Sequence, residues 1–304
     1  MALADSGRSG LRLEQRKQLW AYIFLVVPVA FFLTVRVAPA IFAMAVSLHR
    51  WDILSANEPW VGIANYQALF ADPVFWTSLT NTLTYVLVSV PLQLILGLGI
   101  ALLLQATPGF RGFFRALYFV PFVTSTVAIS WVWRLIYQPD IGPLNHMLGL
   151  LGLPDQKFLT SPDQALLSIT AVIIWQSLGF FVVIFLAGLE SIAIDFYDAA
   201  KVDGASGWTL FRRITIPLLN PTLVFLTVIG TINAIQVFTQ VINMSYQGLG
   251  GPLDSTKSLV LFIYRQAFKS FKMGYASAAT VVLFAIVLAV ALIQLKITSR
   301  QIEY

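Results

Sequence analysis

Six long apolar stretches alternate with shorter polar segments along this chain of 304 residues. The first begins WAYIFLVVPVAFFLTV after a polar start and stays apolar beyond Pro39. The others cover about 80–105, 113–137, 165–189, 217–242 and 274–296. Each holds roughly twenty or more residues, enough to cross a hydrocarbon core of about 30 Å as a helix. Lipid offers backbone amides no hydrogen-bond partners, so each stretch is expected to satisfy its own N–H and C=O groups by being helical. The pattern predicts an all-α integral membrane chain with six spans and both termini on one side. Segments 50–77, 138–164 and 243–272 hold most of the remaining Gly, Pro, Asn and Asp, and are too short for a separate folded domain. One membrane domain is expected over 19–297, between a polar tail 1–18 and a short tail 298–304.

Composition supports lipid as the main solvent. Hydrophobic residues make up 58% and charged residues 11%, with a mean hydropathy of +0.80, leaving too little polar surface to cover a soluble globule. Cysteine is absent and His49 and His146 are the only histidines, which removes thiolate chemistry and Cys- or His-cluster metal sites. The absence of a clear small-x-small cleavage site after the first apolar stretch favours a retained span over a cleaved signal peptide.

The net charge of +5 is spread over the ends of the apolar runs and forms no basic stripe, so nucleic acid is not an expected partner. With the N-terminus in the cytoplasm, 11 basic residues fall inside: Arg8, Arg12, Arg16, Lys17, Arg111, Arg115, Lys201, Arg212, Arg213, Lys296 and Arg300. Arg50, Lys157, Lys257, Arg265, Lys269 and Lys272 make 6 outside. The positive-inside rule then orients both termini, and the segment around Asp203, toward the cytoplasm. Arg36 and Arg134 lie near span edges. Each can snorkel to the headgroups or serve a function within the membrane. Pro28, Pro39, Pro91, Pro121, Pro217 and Pro221 fall in or beside the spans, where freed carbonyls need protein or an aqueous cavity.

Between the fourth and fifth runs, DAAKVDGASGWTLFRRITIPLLNP (198–221) places polar and amphipathic pieces around a glycine. SIAIDFYDAAKV reads as a helix whose small Ala199 and Ala200 allow another surface close to the backbone. Gly204 is suited to a left-handed helix terminus and Asp203 to the turn beside it. Ser206 is expected to cap a second helix, WTLFRRITI, with Trp208, Phe211 and Ile214 at helical spacing. From spacing alone, a hairpin packed on its own bundle and a docking surface for a soluble protein are both open.

This segment resembles the EAA loop of binding-protein-dependent ABC importer permeases. Ala199, Ala200, Asp203, Gly204, Ala205, Phe211, Ile216 and Pro217 match its pattern, and Asp198 stands where that family usually has Glu. Similarity extends to VGIANYQALFADPVFWTSLTNT, LYFVPFVTSTVAISWVWRLIYQPDIGPLN, GLESI, GGPLDSTKSLVLFIYRQAF and MGYASAATVVLF. The sugar and glycerol-3-phosphate branch shows these features, and Gly250-Gly251-Pro252 with the short ending is similar to its first-permease type. QVINMSYQGL departs from the usual pattern by about three extra residues.

The resemblance implies a six-helix type I importer permease in a bacterial or archaeal cytoplasmic membrane, with a cytoplasmic coupling helix. It also implies a second permease subunit, two ATPase subunits and an extracytoplasmic solute-binding protein as partners. No cofactor is implied. The chain lacks a G-x-x-x-x-G-K-[ST] phosphate loop, so ATP is expected to be hydrolysed elsewhere. A site for a polyhydroxy solute needs converging amides and aromatics. Asn233, Gln236 and Gln240 recur at helical spacing in the fifth run, while Trp175, Gln176 and Ser177 offer a second set in the fourth. Hydrogen bonding between helices is the competing role for all of them. A secondary transporter is the alternative function, for which a coupling carboxylate buried in mid-span would be expected. The acids instead sit at span ends or in loops.

Overall fold

The computed structural model describes residues 7–52 and 57–298. The tail 299–304, including Arg300, and residues 1–6 lie outside the described residues. Among the described residues there is no strand, and the only bridges are the isolated pairs His49–Trp60 and Asp52–Lys272.

Fifteen α-helices follow in order among the described residues. They are α1 (Gly7–Phe32), α2 (Ala38–Val46), α3 (Ala64–Ala71), α4 (Pro73–Gln105), α5 (Arg111–Val123), α6 (Thr126–Ile136), α7 (Pro143–Leu150) and α8 (Pro162–Glu190). Next come α9 (Ile194–Val202), α10 (Trp208–Leu210), α11 (Ile216–Leu218), α12 (Asn220–Ile235), α13 (Thr239–Met244), α14 (Leu259–Phe268) and α15 (Met273–Thr298). α1 runs through residue 18, so the expected boundary between tail and membrane domain falls inside a helix.

Four of the six expected spans are long helices: Gln15–Val46, Pro73–Gln105, Pro162–Glu190 and Met273–Lys296. The other two correct the expectation of continuous helices. α5 and α6 meet at 94°, and the run Trp208–Leu218 meets α12 at 66°. The first break follows Pro121, whose missing N–H weakens the last turn of α5, and Thr124 and Ser125 then take extended ψ values of 146° and 121°. The second lies between Pro217 and Pro221. The fifth run breaks again after Ile235, where Phe238 adopts φ −140° before α13 begins.

Two π-helical turns, Leu33–Val37 and Phe211–Thr215, each end two residues before a proline, Pro39 and Pro217. A widened turn accommodates a ring that cannot donate and that crowds the preceding carbonyl.

α8 is the central post. Of its most apolar window, 61% is buried, against 33% for α4, 17% for α15 and none for the first span. It packs most extensively on α4 and α5. Lipid removes the hydrophobic drive between helices, so close approach of small residues and interhelical hydrogen bonds must hold them. Gly179 of α8 meets this need, since a Cβ there would collide with the Tyr118 carbonyl of α5. Phe181, Phe185, Leu189, Leu219 and Leu226 fill the space between α4, α8 and α12. A second cluster joins α3, α4, α14 and α15 around Leu69, Phe75 and Phe262.

The segment before α14 is tied to α4. Asn81 donates its amide to the carbonyls of Asp254 (2.8 Å) and Lys257 (3.1 Å), and Tyr85 donates its hydroxyl to that of Thr256 (3.0 Å). The Leu259 N–H donates to Thr82 Oγ1 at 2.9 Å. These bonds hold a backbone in which Leu253 and Asp254 have φ of 52° and 61°, a region that costs non-glycine residues energy and persists only under strong outside constraint.

Candidate functional site: a polar cavity and an exposed loop

A cavity of about 300 Å³ opens where α8 faces α12 and α13. Gln176, which lines it, is the middle residue of the 29 in α8, so the cavity lies near the midpoint of a spanning helix. Amides, buried at Gln93 and Gln176 and half-buried at Gln240, furnish one wall. Gln93 of α4 donates to Ser177 Oγ at 2.7 Å, Gln176 donates to Thr126 Oγ1 at 3.0 Å, and Gln240 donates to Gln176 Oε1 at 3.2 Å. These bonds link α4, α6, α8 and α13. Phe122, Phe181 and Phe238 supply apolar faces beside them.

Asn233 and Gln236 also line the cavity, yet both are exposed and their side-chain amides make no hydrogen bond among the described residues. An amide carries two donors and an acceptor of two lone pairs, so these two groups remain available to a guest. The polar lining thus divides into amides committed to holding helices together and amides left open.

The sequence-based expectation of one helical face across Asn233, Gln236 and Gln240 is corrected by the break after Ile235. Asn233 is on α12, Gln236 is at its end and Gln240 is on α13, and the bend brings all three to one cavity. Trp175 stands outside the lining: its neighbours in α8 point inward, and its ring packs edge-on against Trp133 at 5.3 Å. Gln93 and Thr126 escaped the sequence reading. A lone glutamine in the apolar stretch VPLQLILGL was the signal available for Gln93; Thr126 carried none, because the break before α6 was not foreseen.

The loop between α8 and α12 is built from short helices. α9 ends at Asp203, after which Gly204 takes φ +81°. The Ala205 N–H donates to the Ala200 carbonyl (2.9 Å) and the Gly204 N–H to that of Lys201 (3.0 Å), the paired bonds of a Schellman terminus. The expected left-handed turn is present. Ser206 does not cap the next helix; Gly207, with φ +46°, occupies that position and no side chain caps α10. Two positive-φ glycines within four residues, Gly204 and Gly207, make this cap geometry unreadable from a Ser-x-x pattern.

Ala199 is exposed and Ala200 half-buried on α9. Asp198 pairs with Lys201 at 3.0 Å, an exposed pair of small energetic weight. Around them Ile194, Phe196, Val202 and Trp208 are 64%, 44%, 87% and 70% exposed. Trp208 packs against Phe211 at a tilt of 33°, with centroids 5.1 Å apart. Tyr197 and Thr215 join hydroxyls at 3.2 Å, connecting α9 to the π turn that leads through Ile216 and Pro217 to α12. An uncovered apolar patch on a loop of a monomer marks a surface for contact.

Comparison with known proteins agrees with this architecture. Residues 73–303 match the family model described as binding-protein-dependent transport system inner membrane component. A probable ABC transporter permease protein of Bacillus subtilis, YesP, is 36% identical over 294 residues, covering 95% of this chain and 94% of that protein. The trehalose/maltose transport system permease protein MalF of Thermococcus litoralis is 32% identical, covering 94% and 96%. The lactose transport system permease protein LacF of Rhizobium radiobacter is 34% identical, covering 96% of each. In fold, the chain superposes with a TM-score of 0.82, at 24% identity, on a chain of a bacterial ABC transporter involved in the import of the acidic polysaccharide alginate, covering 96% and 99%. With its broken spans, mid-helix polar cavity and exposed short-helix loop, the chain belongs to the binding-protein-dependent transport system inner membrane components, the permease subunits of ABC importers.

Proposed function

We propose that this permease passes a carbohydrate or related polyhydroxy solute through the cavity at Gln176, by alternating access driven from a separate ATPase. The observation that carries the reading is the pair of uncommitted amides, Asn233 and Gln236, beside a wall of amides already bonded to one another. Sugar hydroxyls must keep hydrogen bonds on leaving water, and open amides beside phenylalanine faces supply both bonds and apolar contact. Relatives named for trehalose/maltose and lactose transport favour the same solute class.

The loop carrying Asp198, Ala199, Ala200, Asp203, Gly204, Ala205, Phe211, Ile216 and Pro217 is the element we assign to ATPase coupling. Its exposed apolar side chains and small-residue helix suit insertion into a groove of a soluble subunit. In this reading the loop and both termini are cytoplasmic, in line with the 11 to 6 basic asymmetry. The first span, with none of its apolar window covered, is left for lipid and a second permease subunit. A solute-binding protein delivers the solute from outside, as a solved relative in complex with its periplasmic protein suggests.

Reconstitution with the partner subunits tests this. Asn233→Ala and Gln236→Ala are expected to raise the solute concentration for half-maximal uptake while basal ATP hydrolysis and assembly stay intact. Unchanged uptake in both variants across a range of concentrations returns these residues to packing.

A further inference from the structure

A second cavity, of about 380 Å³, lies at the other end of the α6–α13 pair and contains Arg134. The two cavities share these helices. Thr126 and Gln240 line the inner one, while Arg134 and Met244 line the outer. Eight residues of α6 and four of α13 separate them, an offset of roughly 6 to 12 Å along the helices. The outer cavity also touches Leu159 and Thr160, just before α8 begins, whereas the inner one lies at the middle of α8. A solute moving along this face would meet Arg134 before Gln176.

Arg134 has no acidic partner among the described residues. One guanidinium N–H reaches the Asn243 carbonyl at a long 3.4 Å, and the group sits 5.0 Å from the centre of the Trp131 ring. A guanidinium has five donors in a planar fork suited to two oxygens at once, so most of its capacity is unused. Arg134 is half-buried at the C-terminal end of α6, so an anion bound beside it would be only partly screened by water. Asp140 lines the same cavity but is exposed and forms no ion pair with Arg134, and its charge is screened by water. Tyr246, 66% exposed, gives the cavity an aromatic wall.

We propose that this cavity is an outer solute subsite that takes an anionic substituent, a carboxylate or a phosphate, on a sugar whose remaining ring occupies or approaches the inner cavity. The proposal rests on the carbohydrate reading of the inner cavity and adds a charge preference that the inner cavity, lined by neutral groups, does not have.

The purified complex of permeases and ATPases provides the test, through the ligand-induced rise in melting temperature. Three probes are compared: maltose as the neutral disaccharide, digalacturonate for the carboxylate and glucose 6-phosphate for the phosphate. Arg134→Gln is expected to weaken at least one acidic probe by about tenfold or more and maltose by less than about twofold, with Arg134→Lys restoring part of the loss. Which acidic probe responds distinguishes carboxylate from phosphate. Should Arg134→Gln fail to assemble, Tyr246→Glu, on the exposed wall, is expected to repel the acidic probe selectively. Failure of both acidic probes to bind the wild-type complex overturns the proposal, as does an equal loss for all three probes in Arg134→Gln. Asn233→Ala keeps the two readings apart: it is expected to weaken all probes, and if it changes none while Arg134→Gln discriminates, the inner reading fails and the outer subsite stands.

Discussion

Gln240 donates to Gln176 across 3.2 Å, and this bond joins a short helix to the middle of the most buried one. Gln176 in turn donates to Thr126, so one glutamine fixes α6, α8 and α13 together. An amide used in this way is positioned for structure, and only the unpaired amides nearby are free to respond to a guest.

Replacement of Gln93 tests the structural half of that division. It is 4% exposed and bonded to Ser177, so Gln93→Leu leaves the Ser177 hydroxyl without its donor and adds branched bulk. A destabilisation of about 1–3 kcal/mol is expected, read as a lower melting temperature in detergent, with solute affinity reduced far less than in Asn233→Ala. Equal melting temperatures would remove Gln93 from the scaffold.

The tie between α4 and the segment before α14 offers a second test. Asn81→Ala deletes two hydrogen bonds to backbone carbonyls and relaxes the constraint on Leu253 and Asp254. Faster amide exchange or protease cleavage over 250–258 is expected, with the rest of the chain unaffected. Protection equal to wild type shows that the strained turn is held by its own local contacts.

A coupling test follows from the Schellman terminus. Gly204→Pro cannot adopt φ +81° and removes the N–H that reaches Lys201. Ala200→Glu puts charge and bulk on the face proposed to enter the ATPase. Both variants are expected to insert in the membrane yet lose ATPase on purification and lose uptake. Gly204→Ala, where open space surrounds the position, is expected to cost only about 1 kcal/mol, from the left-handed backbone. Normal ATPase stoichiometry in the first two variants would falsify the assignment of the loop.

Membrane orientation can be read without background, because the chain contains no cysteine. Single substitutions Ser206→Cys, Asp155→Cys and Leu253→Cys fall on exposed positions. An impermeant maleimide is expected to label the last two from outside and Ser206→Cys only after the membrane is opened. Outside labelling at 206 reverses the topology.

The six apolar runs are legible in the chain because lipid leaves backbone amides one economical solution; four of them are helices long enough to span and two are bent pairs. Gly204 is legible too, since few residues other than glycine take its φ readily. The 94° bend after Pro121 is not: Pro28 and Pro91 lie within α1 and α4 without breaking them, so proline alone does not say where a helix will turn. The same limit applies to the candidate solute-contact residues. Periodicity selects Asn233, Gln236 and Gln240 for a shared helical face, and they do reach one cavity, but by way of a break after Ile235 that periodicity does not encode. Trp175, next to Gln176 in the sequence, lies outside this lining, its ring packed edge-on against Trp133 of α6, a contact that spacing along the fourth run does not encode.

The straight run of α12 between its two breaks has a mechanical consequence. Sixteen residues form a rod about 24 Å long, anchored at one end beside the loop that Tyr197 and Thr215 tie to α9, and carrying Asn233 at the other. A tilt of about 10° around the loop end would sweep the amide end through about 4 Å, more than the length of a hydrogen bond. The breaks at either end leave the helix as a lever, so that a modest rotation at the loop end would carry Asn233 in or out of hydrogen-bonding reach of whatever occupies the cavity.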